Sequence, residues 1–314
     1  MLNRRHIRVK VMQLLYALKN GASDDLKKDE KFLLNSIDGM YLLYLNMLSL
    51  LLEIRKKAQE HQIKTQNKHL ATQEDKNPNE RFINNELLNN LRNNSKLKEV
   101  LEKFKITTWQ LQDEYVDLLF REMLASDLYK SYMQNEVSSF KEDKDFIIEL
   151  YKHVIAPNDK LYDFIEDSKL TWLDDYPEAN TILLKILRKA KPNSPNTHFI
   201  PDLYKDIDDR EYAKDLFTKT ILNKVQFTEE IATKTKNWDS ERIAKLDLVL
   251  LQMAICEFKK FPSIPVKVTI NEYLEIAKEY STPKSSMFLN GVLDKLVKEY
   301  QTEGSLNKIG RGLM

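Results

Sequence analysis

Cysteine is almost missing from this chain: Cys256 stands alone among 314 residues. No disulfide can close within the chain, and five scattered histidines offer no pair at the spacing of a structural zinc site. Such a composition suits a reducing, cytoplasmic setting. Glycine is also scarce. Of six, only Gly39 falls between residues 22 and 290. Tight turns and hairpins draw on glycine for positive φ, so this scarcity argues against sheet. Long apolar runs are lacking too. The most lipid-like stretch, Met40 to Leu52, is broken by Asn46 and Ser49. It is shorter than the ~20 residues of a spanning helix and reads as a core helix, so no membrane role is expected. Gln13, Lys19 and Asn20 interrupt the apolar N-terminal stretch and no small-residue cleavage site follows, which makes it a poor signal peptide. A Gly-rich phosphate loop, a nucleophile elbow, a His-Glu-x-x-His pair and a repeated Glu-x-x-His pair are all absent, so the reading is of a protein that is not an enzyme, with no cofactor, no metal and no catalytic residue.

What is present is 42% hydrophobic and 31% charged, the balance of a soluble globular protein with one large domain or two ordinary ones. The expected fold class is all-α. Residues 3 to 20 carry Ile7, Val11, Leu14, Leu15 and Leu18 at the three-and-four spacing of an amphipathic helix. A second, very apolar helix is expected from about Glu30 to His61, then a polar loop from Thr65 to Glu80. Further helices run from Phe82 to about Ala156. Pro192, Pro195 and Pro201 mark a connector. Asp206 to Tyr300 divides into four or five helices. In that segment, Asp239 or Ser240 can cap a helix reaching Phe258 or Lys260, and Pro262 to Pro265 stops it. Cys256 lies in its apolar run and reads as a buried thiol. Thr282 followed by Pro283 can open the last helix.

The first 23 residues hold Arg4, Arg5, Arg8, Lys10 and Lys19 and no acid, in a chain whose net charge is only +1. Arg4, Arg5 and Arg8 can project from one side while Ile7, Val11 and Leu14 pack inward, and such a cluster can hold an RNA backbone. A solvated basic helix end is the plainer reading of the same residues. Tyr16, on this helix, can stack on a base or pack in the core.

The run Ile264 to Glu272, then Glu275-Ile276-Ala277-Lys278, then Phe288 to Asp294, closely resembles the signature of the NusB family of transcription antitermination factors. Arg4-Arg5-His6-Ile7-Arg8, with Gln13 and Tyr16, is similar to that family's arginine-rich first helix. Asp209 to Glu257 is similar to its middle helices. The resemblance implies a NusB-like pair of small helical bundles with a large helical insertion after the first helix. The expected divisions are 1–20 for the first helix, 21–205 for the insertion, 206–301 for the rest of the domain and 302–314 for a flexible tail. It implies a non-enzymatic adaptor that binds boxA-like single-stranded RNA together with the ribosomal protein acting as NusE, within the RNA polymerase antitermination complex. RNA contacts would fall on Arg4, Arg5, Arg8 and Tyr16, and on Lys284, Phe288 and Asn290 around the start of the last helix. Partner contacts would fall on Glu241 and Asp247. The row Phe288, Val292 and Leu296 looks like core in its own right, and Asn271 and Glu272 read as groups near a helix start. The alternative reading is a helical scaffold whose insertion carries the function without specific RNA binding.

Overall fold

The computed structural model describes residues 1–20, 25–68, 72–135, 138–235 and 244–313. Among these there are helices and no strand; one isolated bridge joins Leu2 to Tyr204. The chain divides into two compact units. A discontinuous unit is built from Leu2–Ile37 and Tyr204–Met314, and a central unit from Asp38–Leu203.

The elements in order are α1 (Arg4–Asn20), α2 (Leu26–Gln66), α3 (Glu86–Asn93), α4 (Ser95–Lys103), α5 (Asp113–Ala125), α6 (Asp127–Gln134), α7 (Phe140–Leu150) and α8 (Asp159–Ser168). They continue with α9 (Tyr176–Lys189), α10 (Asp209–Leu222), α11 (Lys224–Lys234), α12 (Lys245–Lys260), α13 (Val266–Tyr280) and α14 (Ser285–Thr302). The second helix is longer at both ends than its apolar pattern suggested, and the polar stretch after it contains one helical turn, Gln73–Lys76. The last helix opens at Ser285, with Pro283 in the turn before it. The proposed caps Asp239 and Ser240 lie outside the described residues.

In the central unit, Leu43 to Leu51 of α2 are buried all round, so the most apolar run of the sequence is core. Two indoles fasten to its backbone: Trp109 Nε1 donates to the Asn46 carbonyl at 2.7 Å and Trp172 Nε1 to that of Gly39 at 2.8 Å. Helices here begin without glycine. Asn85, Asn94, Ser126, Ser139 and Asn158 each accept a backbone N–H in the first turn of the helix that follows. The capping oxygen satisfies a donor that would otherwise be stranded.

In the discontinuous unit, α12 is the axis. It packs on α1, α10, α11, α13 and α14, and α13 and α14 also pack on each other. Val249 to Phe258 are buried without a break. A helix that is apolar all round ends up surrounded. The first part of α2 belongs to this unit, where Glu30 pairs with Lys214 at 3.4 Å. The division accordingly falls after Ile37 and after Leu203, not after residues 20 and 205.

The segment after Thr302, expected to be a flexible tail, folds back instead. Gly304 takes a positive φ, and Lys308 Nζ donates to the carbonyls of Glu257 and Phe261 at 3.0 Å each. Those carbonyls belong to the last turn of α12 and to its C-cap residue, and each also accepts one backbone N–H, from Phe261 and from Ile264. Ile309 N–H donates to the Pro262 carbonyl at 3.1 Å, and a 3₁₀ turn, Gly310–Leu313, follows. Burial lowers the Lys308 ammonium to a pKa of about 8, partly offset by the charge of Glu257.

Candidate functional site

The N-terminal turn of α1 faces a cleft of about 970 Å³ in the discontinuous unit, lined in part by Arg4, Arg5, Asp206, Asp208, Pro265 and Glu272. Cations and carboxylates share its walls, so it is not a uniformly positive surface. The three arginines that the sequence grouped together have three different surroundings.

Arg8 is in the core. Its side chain is 3% exposed and grips Glu257, itself fully enclosed, through Nε at 2.7 Å and Nη2 at 3.0 Å. Tyr212 and Tyr273 donate their hydroxyls to Glu257 Oε1 at 2.5 and 2.9 Å, and Thr269 donates to Oε2 at 3.0 Å. The same tyrosine rings flank the guanidinium at 5.6 and 5.8 Å. Burial alone would lift the Glu257 carboxyl, but the Arg8 charge and the converging hydrogen bonds hold it below the ordinary range. Burial likewise opposes the Arg8 charge, and Glu257 more than restores it. Both tyrosine hydroxyls are driven far up, first by burial and then by the neighbouring carboxylate. The expectation that Arg8 projects with Arg4 and Arg5 toward RNA is thus corrected: its Nε and Nη2 donors are spent on Glu257 and its side chain is enclosed, and breaking a buried pair of this kind costs about 3–5 kcal/mol.

Arg4 lies over the Tyr212 ring at 4.8 Å and bonds through Nε to Asp209 at 2.9 Å. Its side chain is partly exposed, whereas Asp209 is buried at the first turn of α10. Arg5 is the most open of the three, 41% exposed, and makes a two-pronged pair with Glu272: Nε to Oε2 at 3.0 Å and Nη2 to Oε1 at 2.9 Å. The hydrogen bonds that Arg5 donates to Glu272 raise its guanidinium against a smaller opposing effect of burial. Glu272 Oε2 also stands 3.5 Å from Arg8 Nη1. Glu272 is in the middle of α13, not near its start, which corrects the reading of Asn271 and Glu272 as helix-start groups.

Asp247 is buried as well. Its two oxygens accept from Ser281 at 2.6 Å and Ser285 at 2.8 Å, so it fastens the turn between α13 and α14 to α12. This corrects its expected role as an exposed partner contact, since a carboxylate below the surface with a serine hydroxyl on each oxygen presents nothing to a second protein. Glu241 lies outside the described residues. The turn that Asp247 anchors carries Lys284 outward, and Asn290 is exposed one turn beyond the start of α14, with its amide 3.4 Å from Asp294. Phe288 is 8% exposed and sits in the row with Val292 and Leu296, as core. Tyr16 is exposed on α1. Lys284, Phe288, Asn290 and Tyr16 do not line the cleft. Cys256 is buried, and burial pushes its thiol up to about 12, which leaves it almost entirely protonated at neutral pH.

Glu257, Glu272, Asp209 and Tyr212 complete the site and were not singled out as functional from the sequence. One signal was available. An acid within the apolar run Ile255 to Phe258 demands a buried counter-ion, and the first helix holds the nearest surplus of arginine.

Residues 194–298 match the sequence model of the NusB family. The chain is similar to the transcription antitermination protein NusB of Salinibacter ruber, 43% identical over 112 residues, which is 36% of this chain and 70% of that one. It is similar to the protein of the same name from Chloroherpeton thalassium, 39% identical over 129 residues, covering 41% of this chain and 61% of the relative. The Finegoldia magna protein is 42% identical over 88 residues, covering 27% and 64%. No solved structure gives a significant match.

Proposed function

The chain belongs to the NusB family, and on that footing we propose that it is a cytoplasmic transcription antitermination factor that grips boxA-like single-stranded RNA together with the ribosomal protein acting as NusE. The observation that supports this reading best is the half-open pair of arginines, Arg4 and Arg5, held at a cleft by a helix whose third arginine is locked in the core. Exposed guanidiniums make charge-assisted, often two-pronged bonds to phosphate, and a rigid mount limits the freedom lost on binding. Lys284 adds a point charge that contributes attraction without base selectivity, while Tyr16 and Asn290 are suited to stacking on a base and to hydrogen bonding at its edge. Binding RNA and the ribosomal protein together would raise the affinity of each for the complex on RNA polymerase. No step of this role requires catalysis.

The test is fluorescence anisotropy with a boxA-like strand and a scrambled strand, with and without the ribosomal protein, across a salt series. The expected result is tighter binding of boxA when the partner is present, with an affinity that falls steeply as salt rises. Arg5→Ala should weaken binding with no loss of helicity, and Lys284→Ala should weaken both strands equally. Equal, salt-insensitive binding of both strands would transfer the function to the inserted helices and make the protein a scaffold.

A further inference from the structure

The three arginines of α1 differ in how readily each can leave its carboxylate. Arg8 cannot leave Glu257 without stranding two enclosed charges. Arg4 would leave Asp209 buried, with only the Asp206 N–H on its other oxygen. Arg5 is different. Its pair with Glu272 is partly exposed, 41% at Arg5 and 22% at Glu272, and pairs reached by solvent are more weakly held than enclosed ones. Glu272 would not be stranded, because Arg8 Nη1 already stands 3.5 Å from its Oε2. The geometry points to Glu272 as an intramolecular competitor for RNA phosphate: it occupies the Arg5 fork in the free protein and yields it on binding, resting on Arg8 in the bound state. This inference rests on the RNA reading above and adds that the site carries its own brake.

A brake of this kind has a specific consequence. A contact opened at the expense of a carboxylate releases little net counter-ion, because the freed acid gathers cations as the phosphate loses them. Non-specific strands, whose only attraction is phosphate charge, are penalised by the same amount as specific ones. Strands with additional base contacts stay bound despite that penalty, so Glu272 lowers the occupancy of the site by weak ligands while leaving the ratio of the two affinities unchanged.

Glu275 provides the control. It also bears on Arg5 through space, but it accepts its hydrogen bond from Lys278. In the full-length protein, Glu272→Gln should tighten binding of both a boxA-like and a scrambled strand by roughly two- to fivefold, the range of an exposed pair. The log-log salt slope should steepen by about 0.7, one further single-strand phosphate contact. Glu275→Gln should give a clearly smaller gain. In an Arg5→Ala background, Glu272→Gln should give no gain. Equal gains from Glu272→Gln and Glu275→Gln, or a Glu272→Gln gain that persists without Arg5, would overturn the competitor and leave only general charge repulsion. RNA binding that is unchanged by Glu272→Gln would overturn this inference alone. Failure of every form to bind either strand would overturn the RNA reading and the inference with it.

Discussion

Glu257 accepts hydrogen bonds from four side chains and is fully enclosed, so its replacement unsettles four partners at once. Glu257→Gln leaves Arg8 as an uncompensated buried cation and should cost about 3–5 kcal/mol, read as a lower urea midpoint. Because the folded carboxyl is held below its unfolded range, its contribution is fully present above the ordinary glutamate pKa of about 4.3 and is lost as pH falls through the lower folded value. The stability difference between the wild type and Glu257→Gln should therefore be flat at neutral pH and shrink only in acid. A difference that persisted undiminished well into acid would contradict this assignment. At this scale the sequence spoke clearly about charge and poorly about depth. Helical periodicity locates Arg8 beside Ile7 and Val11, at the margin of the apolar stripe, and a margin residue faces inward or outward according to its partner. Glu257 decides that question for Arg8, as Ser281 and Ser285 decide it for Asp247, and both partners are tens of residues or more away in the sequence.

Among the elements, the returning C-terminal strap is the one that local pattern did not reveal, because it consists of a single lysine donor, one backbone bond and glycines that allow close approach. Gly312 shows how close. A Cβ there would overlap the Pro262 carbonyl oxygen, which is backbone and cannot swing aside. Gly312→Ala should therefore release the 3₁₀ turn and speed amide exchange at Ile309 on the order of five- to tenfold, the loss of about one net hydrogen bond. Helicity by circular dichroism should not change. Unaltered exchange would mean that the turn is not held against Pro262. The helices themselves were largely legible, from the first helix to the stop at Pro262, because each depends on its own periodicity and punctuation. The long stretch from Trp109 to Tyr132 was less so: its apolar register continues across Gln112 and Ser126, where the backbone breaks into separate helices.

For the whole molecule, the central unit has its own apolar interior in Leu43, Leu48, Trp109, Leu119, Ile147 and Leu183. Residues 38–203 expressed alone should be helical and melt in one cooperative transition by circular dichroism; a gradual, non-cooperative loss of signal would show that its helices depend on the remainder of the chain. The sequence did not reveal the edges of the central unit, since α2 runs through Ile37 without a break and periodicity does not record a change of neighbours along one helix. The pair that locks the first helix joins residues 249 positions apart. A ribosome adding about 5–20 residues per second needs roughly 12–50 s to cover that distance. For most of that interval the newborn α1 has an uncovered apolar stripe and three arginines whose carboxylate partners, Asp209, Glu257 and Glu272, are not yet made. Biosynthesis of this protein thus includes a waiting period, set by the length of the insertion, during which its first helix is a bare cationic amphipath open to nucleic acid and to chaperones.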